Sequence, residues 1–194
     1  MLFVIRHGET DWNAEGRLQG QQDIALNARG RDQARRNGQV LAGHLVAEGL
    51  DPAMLHYVAS PLDRARETME ILRQVLGLPP TAYRLDDRLK EVSFGRFEGL
   101  TLAELATHDP AGFEAREANR WGFIPHGGES YAMLAERVAP LLSALAGPAV
   151  LVAHGGVLRA LYHLLLGHST EEVMTMPVRQ DRVHLFAAGT MRLF

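Results

Sequence analysis

The chain has 194 residues and carries 20 Lys and Arg against 23 Asp and Glu, a formal net charge of −3. That length suits one compact domain with its own core, and the slightly acidic balance excludes a general nucleic-acid or membrane-surface binder. With no cysteine, a disulfide scaffold, a thiol nucleophile and a thiolate metal site are excluded, while nine histidines are left to account for.

In chain order, Leu2–Arg6 is the first short run of apolar, β-branched and aromatic residues and predicts a strand. Residues 28–48 follow with a wide apolar stripe at helical spacing (Ala34, Val40, Leu41, Leu45, Val46). A second strand is predicted at 55–59. It leads into a helix over 61–76 that opens on Pro61, keeps Leu62, Ala65, Met69, Leu72 and Val75 on one face, and ends before Gly77. Residues 100–128 differ from the rest: helical, mixed in charge, with Phe113, Trp121 and Phe123 ahead of Gly127-Gly128. They predict a short helical lid insertion over one end of a sheet. Further strands are predicted at Ala149–Ala153 and 182–187, with a helix over 157–166 that is apolar on almost every side. Thr101 with Glu104 and Ser169 with Glu172 match capping boxes and open two short helices. Alternating strands and helices without an internal linker predict a single-domain α/β protein over 1–194, a three-layer α/β/α sandwich with a mostly parallel central sheet. No apolar run reaches the ~20 residues of a membrane span, and the N-terminal residues lack the pattern of a signal peptide, so a cytoplasmic protein is expected.

Three of these strands run straight into polar residues. The first continues as Arg6-His7-Gly8-Glu9-Thr10, the second as Ser60-Pro61-Leu62-Asp63-Arg64, the third as His154-Gly155-Gly156. Ligands of open α/β sheets bind at the carboxyl ends of the strands, so these segments are expected to converge. Gly155 and Gly156 bare the backbone N–H groups of a helix start, which attract anions, and Arg64 lies one turn inside its own helix with a planar fork suited to an oxyanion. Two arginines, two histidines and a helix N-terminus describe an anion site. A metal triad is disfavoured, because Arg6 beside His7 would repel a dication. His163 and His168 are five residues apart, not the four of a helical metal pair. Gly128-Glu129-Ser130-Tyr131-Ala132 lacks the second glycine of a nucleophile elbow.

Arg6-His7-Gly8-Glu9-Thr10, with Trp12-Asn13 and Gly16-Arg17-Leu18-Gln19-Gly20, resembles the signature of the histidine phosphatase superfamily in its phosphoglycerate mutase-like branch. Further blocks follow in the family's order: Leu26-Asn27-Ala28-Arg29-Gly30, Ser60-Pro61-Leu62-Asp63-Arg64-Ala65, Leu89-Lys90-Glu91 with Gly95-Arg96-Phe97-Glu98-Gly99, Gly127-Gly128-Glu129-Ser130 and Val152-Ala153-His154-Gly155-Gly156. The resemblance implies a phosphomonoester hydrolase in which His7 attacks phosphorus and carries a phosphohistidine. Arg6, Arg64 and a protonated His154 would balance the phosphoryl oxygens. Glu91 would protonate the leaving group and then activate water. Gly8, Asn13, Gln19, Gly20 and Gly155 would add binding contacts. No cofactor or metal is implied, since these cations do the work of an ion. Like charge from Arg6 and Arg64 would keep the His7 ring neutral, and a backbone carbonyl would fix its tautomer.

Within the family the choice lies between hydrolysis and transfer. Mutases that depend on 2,3-bisphosphoglycerate carry a longer basic insertion before the second histidine and a C-terminal tail. Here the insertion holds Arg116 and Arg120 against Glu104, Asp109, Glu114 and Glu117, and the given sequence stops at Phe194, which favours a phosphatase. The substrate is expected to be a small phosphorylated metabolite, α-ribazole phosphate of cobalamin synthesis being one alternative. A non-catalytic phospholigand-binding module is the reading from another class, and His7 and Glu91 speak against it. Trp121, Phe123 and Ile124 either line an apolar pocket or pack in the core. Family habit makes a homodimer an expectation, although no exposed stripe demands one.

Overall fold

The computed structural model describes residues 1–194. Its strands are β1 (Leu2–Arg6), β2 (His56–Ala59), β3 (Arg84–Leu85), β4 (Ala149–Ala153), β5 (Val183–Ala187) and β6 (Thr190–Leu193). They form one six-stranded sheet in the order β3-β2-β4-β1-β5-β6. The pairs β3/β2, β2/β4 and β4/β1 are parallel, while β5 runs against β1 and β6 against β5. The helices are α1 (Asp11–Ala14), α2 (Ala28–Ala47), α3 (Asp63–Val75), α4 (Leu102–His108), α5 (Pro110–Ala118), α6 (Tyr131–Ser143), α7 (Gly155–Leu166) and α8 (Thr170–Thr175).

Successive side chains of a strand point to opposite faces, and β1 shows what that does here. Phe3 and Ile5 enter one core with Leu41 and Leu45 of α2 and Met69 and Leu72 of α3. Leu2 and Val4 enter the other with Leu134 and Val138 of α6 and Leu158 and Leu161 of α7. Each fully buried side chain of this kind contributes roughly 2 kcal/mol by leaving water. The three-layer sandwich with a mostly parallel sheet is therefore observed.

Both capping boxes form, at Thr101 and at Ser169. Gly167 takes a left-handed φ of 71° and stops α7, where an L side chain would be strained. Four elements go beyond the sequence pattern, the short α1 among them. α6 is capped by Ser130, which accepts from Met133 N–H, and buries Leu134, Ala135, Val138 and Leu141. β3 and β6 are edge strands. Residues 100–128 contain α4 and α5, joined at Asp109, whose carboxylate caps α5. No helix is long and apolar enough to cross a membrane.

Candidate active site

Sheet register builds the centre. Arg6 pairs with Ala153 across β1 and β4, and His7 N–H donates to Ala153 O at 2.9 Å. The next residue on each strand is a histidine, so the His7 and His154 rings lie 5.1 Å apart between centroids. Ser60 follows β2 and its N–H donates to Val152 O at 3.0 Å, which brings the third strand end alongside. The three ends converge as expected, above the fully buried Arg64 of α3. A cavity of about 250 Å³ opens there, lined by Arg6, His7, Arg64, Glu91, Gly155 and Arg159 together with Asn13, Gln19 and Gly20. A larger groove of about 580 Å³ beside β2 and β3 holds none of these groups.

The arginines are fixed by backbone carbonyls. Arg64 donates through Nη1 to Gln22 O at 2.6 Å and through Nη2 to Gly20 O at 2.8 Å. Arg6 donates through Nη1 to Val178 O at 2.7 Å. In both, Nε is buried without a partner, as are His154 Nδ1 and Gln19 Oε1. Buried polar atoms are nearly always paired, and four unpaired ones around one cavity mark a place made for a ligand. Burial pulls both guanidinium pKa values down, partly offset by Glu91, yet the groups remain cationic.

His7 Nδ1 lies 2.7 Å from Gly8 O. A carbonyl only accepts, so Nδ1 carries the hydrogen and Nε2 keeps a lone pair. Burial first, then Arg64 and Arg6, hold the His7 pKa well below the ordinary value, and the Gly8 carbonyl opposes them weakly. His154 lies wholly buried beneath the cavity floor, with Nε2 2.7 Å from Ser60 Oγ. Burial, then Arg64, His7 and Arg6, push its pKa well below the ordinary value, which favours the neutral ring in the unliganded site. Gly8 also departs from expectation: its N–H donates to Thr68 Oγ1 at 3.1 Å, and its carbonyl orients His7 rather than facing a ligand.

Glu91 sits at the start of α7. Its carboxylate accepts from Gly156 N–H at 3.0 and 3.1 Å and from Val92 N–H at 2.9 Å. A Cβ on residue 156 would come 2.3 Å from Glu91 Oε1, so the carboxylate reaches the helix terminus only because position 156 is glycine. His154 provides no side-chain cap for α7, and Gly155 and Gly156 line the cavity. No three His, Asp or Glu side chains come together as a metal site.

Several lining residues escaped the sequence reading: Leu18, Phe94, Tyr131, Arg159 and Val178. Only Arg159 left a signal, as the lone cation in an apolar helix. Arginines engage three of the four carboxylates of the insertion that the sequence sets against Arg116 and Arg120. Glu104 pairs with Arg17 at 2.8 Å, Asp109 with Arg96 at 2.5 Å, Glu117 with Arg116, and Glu114 is exposed. Arg116 is buried, Arg120 Nε is buried without a partner, and both act with Arg159 on Tyr131. Burial and Glu91 raise the Tyr131 pKa against those three cations. Trp121 stacks on Tyr131 at 6.1 Å, Phe123 stacks on Phe97 at 6.0 Å, and Ile124 is exposed, so none of them lines the cavity.

An α/β sandwich that gathers buried arginines, a tautomer-fixed neutral imidazole and a carboxylate at its strand ends has the make-up of a phosphoryl-transfer enzyme. The chain belongs to the histidine phosphatase superfamily (branch 1), which it matches over residues 2–188, and it is a phosphatase of that type. It is 38% identical over 179 residues to the glucosyl-3-phosphoglycerate phosphatase of Mycolicibacterium vanbaalenii, covering 86% of this chain and 74% of that one. It is 36% identical over 173 residues to a probable phosphoglycerate mutase of Salmonella choleraesuis, with shares of 86% and 74%. The mycobacterial glucosyl-3-phosphoglycerate phosphatase solved with VO3 superposes at a TM-score of 0.79, at 33% identity, covering 100% of this chain and 96% of the other.

Proposed function

We propose that the protein hydrolyses a small phosphorylated metabolite through a phosphohistidine on His7, without a metal ion. The observation that carries this reading is the His7 ring itself: buried, neutral, and held by Gly8 O so that Nε2 is the free nitrogen. His7 Nε2 attacks phosphorus in line and the ester P–O bond breaks. Glu91 gives the leaving oxygen its proton, then takes one from the water that cleaves the N–P bond and releases inorganic phosphate. Arg6 Nε, Arg64 Nε, His154 Nδ1 and the α7 N-terminus stabilise the phosphoryl oxygens, which supplies the charge a metal ion supplies elsewhere. A phosphate dianion beside His154 favours the protonated ring, so His154 takes up its proton with the ligand.

The substrate reading is a phosphate ester with a second anionic group. Arg159 faces the cavity with no carboxylate ion pair, and the charge of Arg120, with its Nε unpartnered, adds to the positive field around it. The relatives named for phosphoglycerate-type substrates fit that chemistry. The chain acts as one domain, 1–194, with 100–128 as the lid that brings Arg120. The reading includes a cytoplasmic location, for which the cysteine-free composition speaks, and a homodimer, which rests on the family resemblance alone.

The test is a rapid acid-free quench of protein mixed with a labelled phosphomonoester in excess chelator. Label appears on His7, is released by acid, and vanishes in His7→Ala, whose turnover falls at least ~10³-fold. Label that persists in His7→Ala, or a loss of activity in chelator, overturns the reading. Repeating the assay with 3-phosphoglycerate, with and without 2,3-bisphosphoglycerate, separates hydrolysis from mutase transfer, and α-ribazole phosphate tests that alternative.

A further inference from the structure

Two charged side chains outside the cavity lock the loop that carries Glu91. Arg137 of α6 spreads its guanidinium across three carbonyls: Nη1 donates to Arg88 O at 2.5 Å, and Nη2 to Lys90 O at 2.8 Å and Glu91 O at 3.0 Å. Glu129 takes the other edge of the fork, with Oε1 accepting from Nε at 2.8 Å and Oε2 from Nη2 at 3.0 Å. Glu129 Oε2 also accepts from Ser93 N–H at 3.1 Å, and Glu129 N–H donates to Ser93 O at 2.8 Å. Glu91 is thus pinned at its own carbonyl and on both flanks. The two side chains are mostly buried, at 22% and 19% exposure, and neither lines the cavity.

Carbonyls from three residues aimed at one point repel each other unless a donor with several divergent N–H groups sits between them. A guanidinium does that; an ammonium, a compact point charge, does not reproduce the fork. Burial alone would raise the Glu129 pKa, but Arg137 and the Ser93 N–H outweigh it and hold the carboxylate ionised. The lock extends further. Gln21 Nε2 donates to Glu91 O at 3.1 Å, and Gln21 lies between the Gly20 and Gln22 carbonyls that hold Arg64.

We propose that Arg137, fixed by Glu129, is the positioning residue for Glu91, setting the carboxylate's place relative to the leaving oxygen of a phosphoryl group bound at Arg64. This rests on the reading of Glu91 as proton donor. A shift of about 1 Å in such a group costs about 100-fold in rate. A protonated leaving group matters for an alkyl ester and hardly for p-nitrophenolate, so the defect selects by leaving group.

The experiment compares Arg137→Lys, Arg137→Met and Glu91→Gln on glycerol phosphate and p-nitrophenyl phosphate. Both Arg137 variants are expected to lose about 10- to 100-fold in the single-turnover rate of phosphohistidine formation on the alkyl ester and under about threefold on the aryl ester, with KM unchanged. Lysine gives no rescue over methionine. Equal losses on both esters, or losses confined to KM, overturn the proposal. Where Arg137→Met does not fold, Glu129→Gln is read the same way, with a smaller alkyl-selective loss expected and equal losses overturning. The Glu91→Gln control separates two failures. Equal losses in Glu91→Gln remove the proton-donor reading itself. An alkyl-selective loss in Glu91→Gln beside equal losses in the Arg137 variants removes only the positioning role.

Discussion

The floor of the cavity hangs on backbone register, with His7 and, beneath it, His154 and Ser60 each the residue after a strand and placed by parallel pairing of β1, β4 and β2. The wall is assembled differently. Glu91 and Arg17, with Arg137 behind Glu91, are placed by side-chain bonds between segments far apart in the chain, such as Arg17 to Glu104 and Gly99 O and Arg137 to Arg88 O. A floor of that kind tolerates surface change and serves every phosphate ester alike. A wall of charged pairs shifts when one pair is exchanged, so it is where substrate choice resides.

The largest effect that sharpens this division belongs to the floor. Arg64→Lys keeps the charge but cannot hold the Gly20 and Gln22 carbonyls while presenting a third N–H to phosphate. Steady-state kcat/KM should fall about 10²- to 10³-fold, by the same factor on every ester tried. A loss that varies with the leaving group would move Arg64 from floor to wall.

Next in size is a wall residue. Arg159→Met removes a charged donor that no protein carboxylate occupies. A hydrogen bond to a charged group contributes about 1.5–3 kcal/mol, so KM for a substrate with a second anion should rise about 10- to 100-fold. For p-nitrophenyl phosphate it should change by less than about twofold. Equal changes for both would place Arg159 with the reacting phosphate.

The same division decides what was legible beforehand. His7, His154 and Arg64 follow from apolar runs that end in polar residues, and β1 and β4 have the predicted bounds. Glu91 was reached through the family resemblance alone, because its neighbours Asp86, Asp87 and Arg88 read as an ordinary charged stretch. Arg137 was invisible, since its partners are backbone carbonyls almost fifty residues away. α6 has clear periodicity, but Pro140 inside it argues against a helix. The hairpin to β6 turns at Ala188 and Gly189 with φ of 49° and 71°, and alanine hides a turn that asparagine would announce. Gly8 was placed correctly in sequence and wrongly in chemistry, because the Thr68 hydroxyl that takes its N–H is not written in a motif.

The floor's dependence on neutral, buried histidines has a stability cost that the wall does not share. Beside β1 in the sheet, His184 of β5 is 1% exposed, its Nδ1 lies 3.2 Å from Val4 O, and its ring packs edge-on to Tyr162. Burial lowers its pKa to about 4, against a weak opposing pull from that carbonyl. The unfolded chain binds a proton near pH 6.5 that the folded ring refuses until about pH 4. Stability conferred by the neutral ring is therefore intact above pH 6.5 and falls as pH drops through that window, at about 1.4 kcal/mol per unit. His7 and His154 are lowered in the same direction, so wild type should lose more than His184 alone accounts for. His184→Gln keeps an N–H for Val4 O and does not titrate. Urea denaturation at pH 7.5 and pH 5.0 should show the variant losing about 2 kcal/mol less than wild type across that interval, with kcat at pH 7.5 preserved. Equal acid losses in the two proteins would mean that His184 is protonated in the fold, and that the neutral-histidine account stops at the cavity floor.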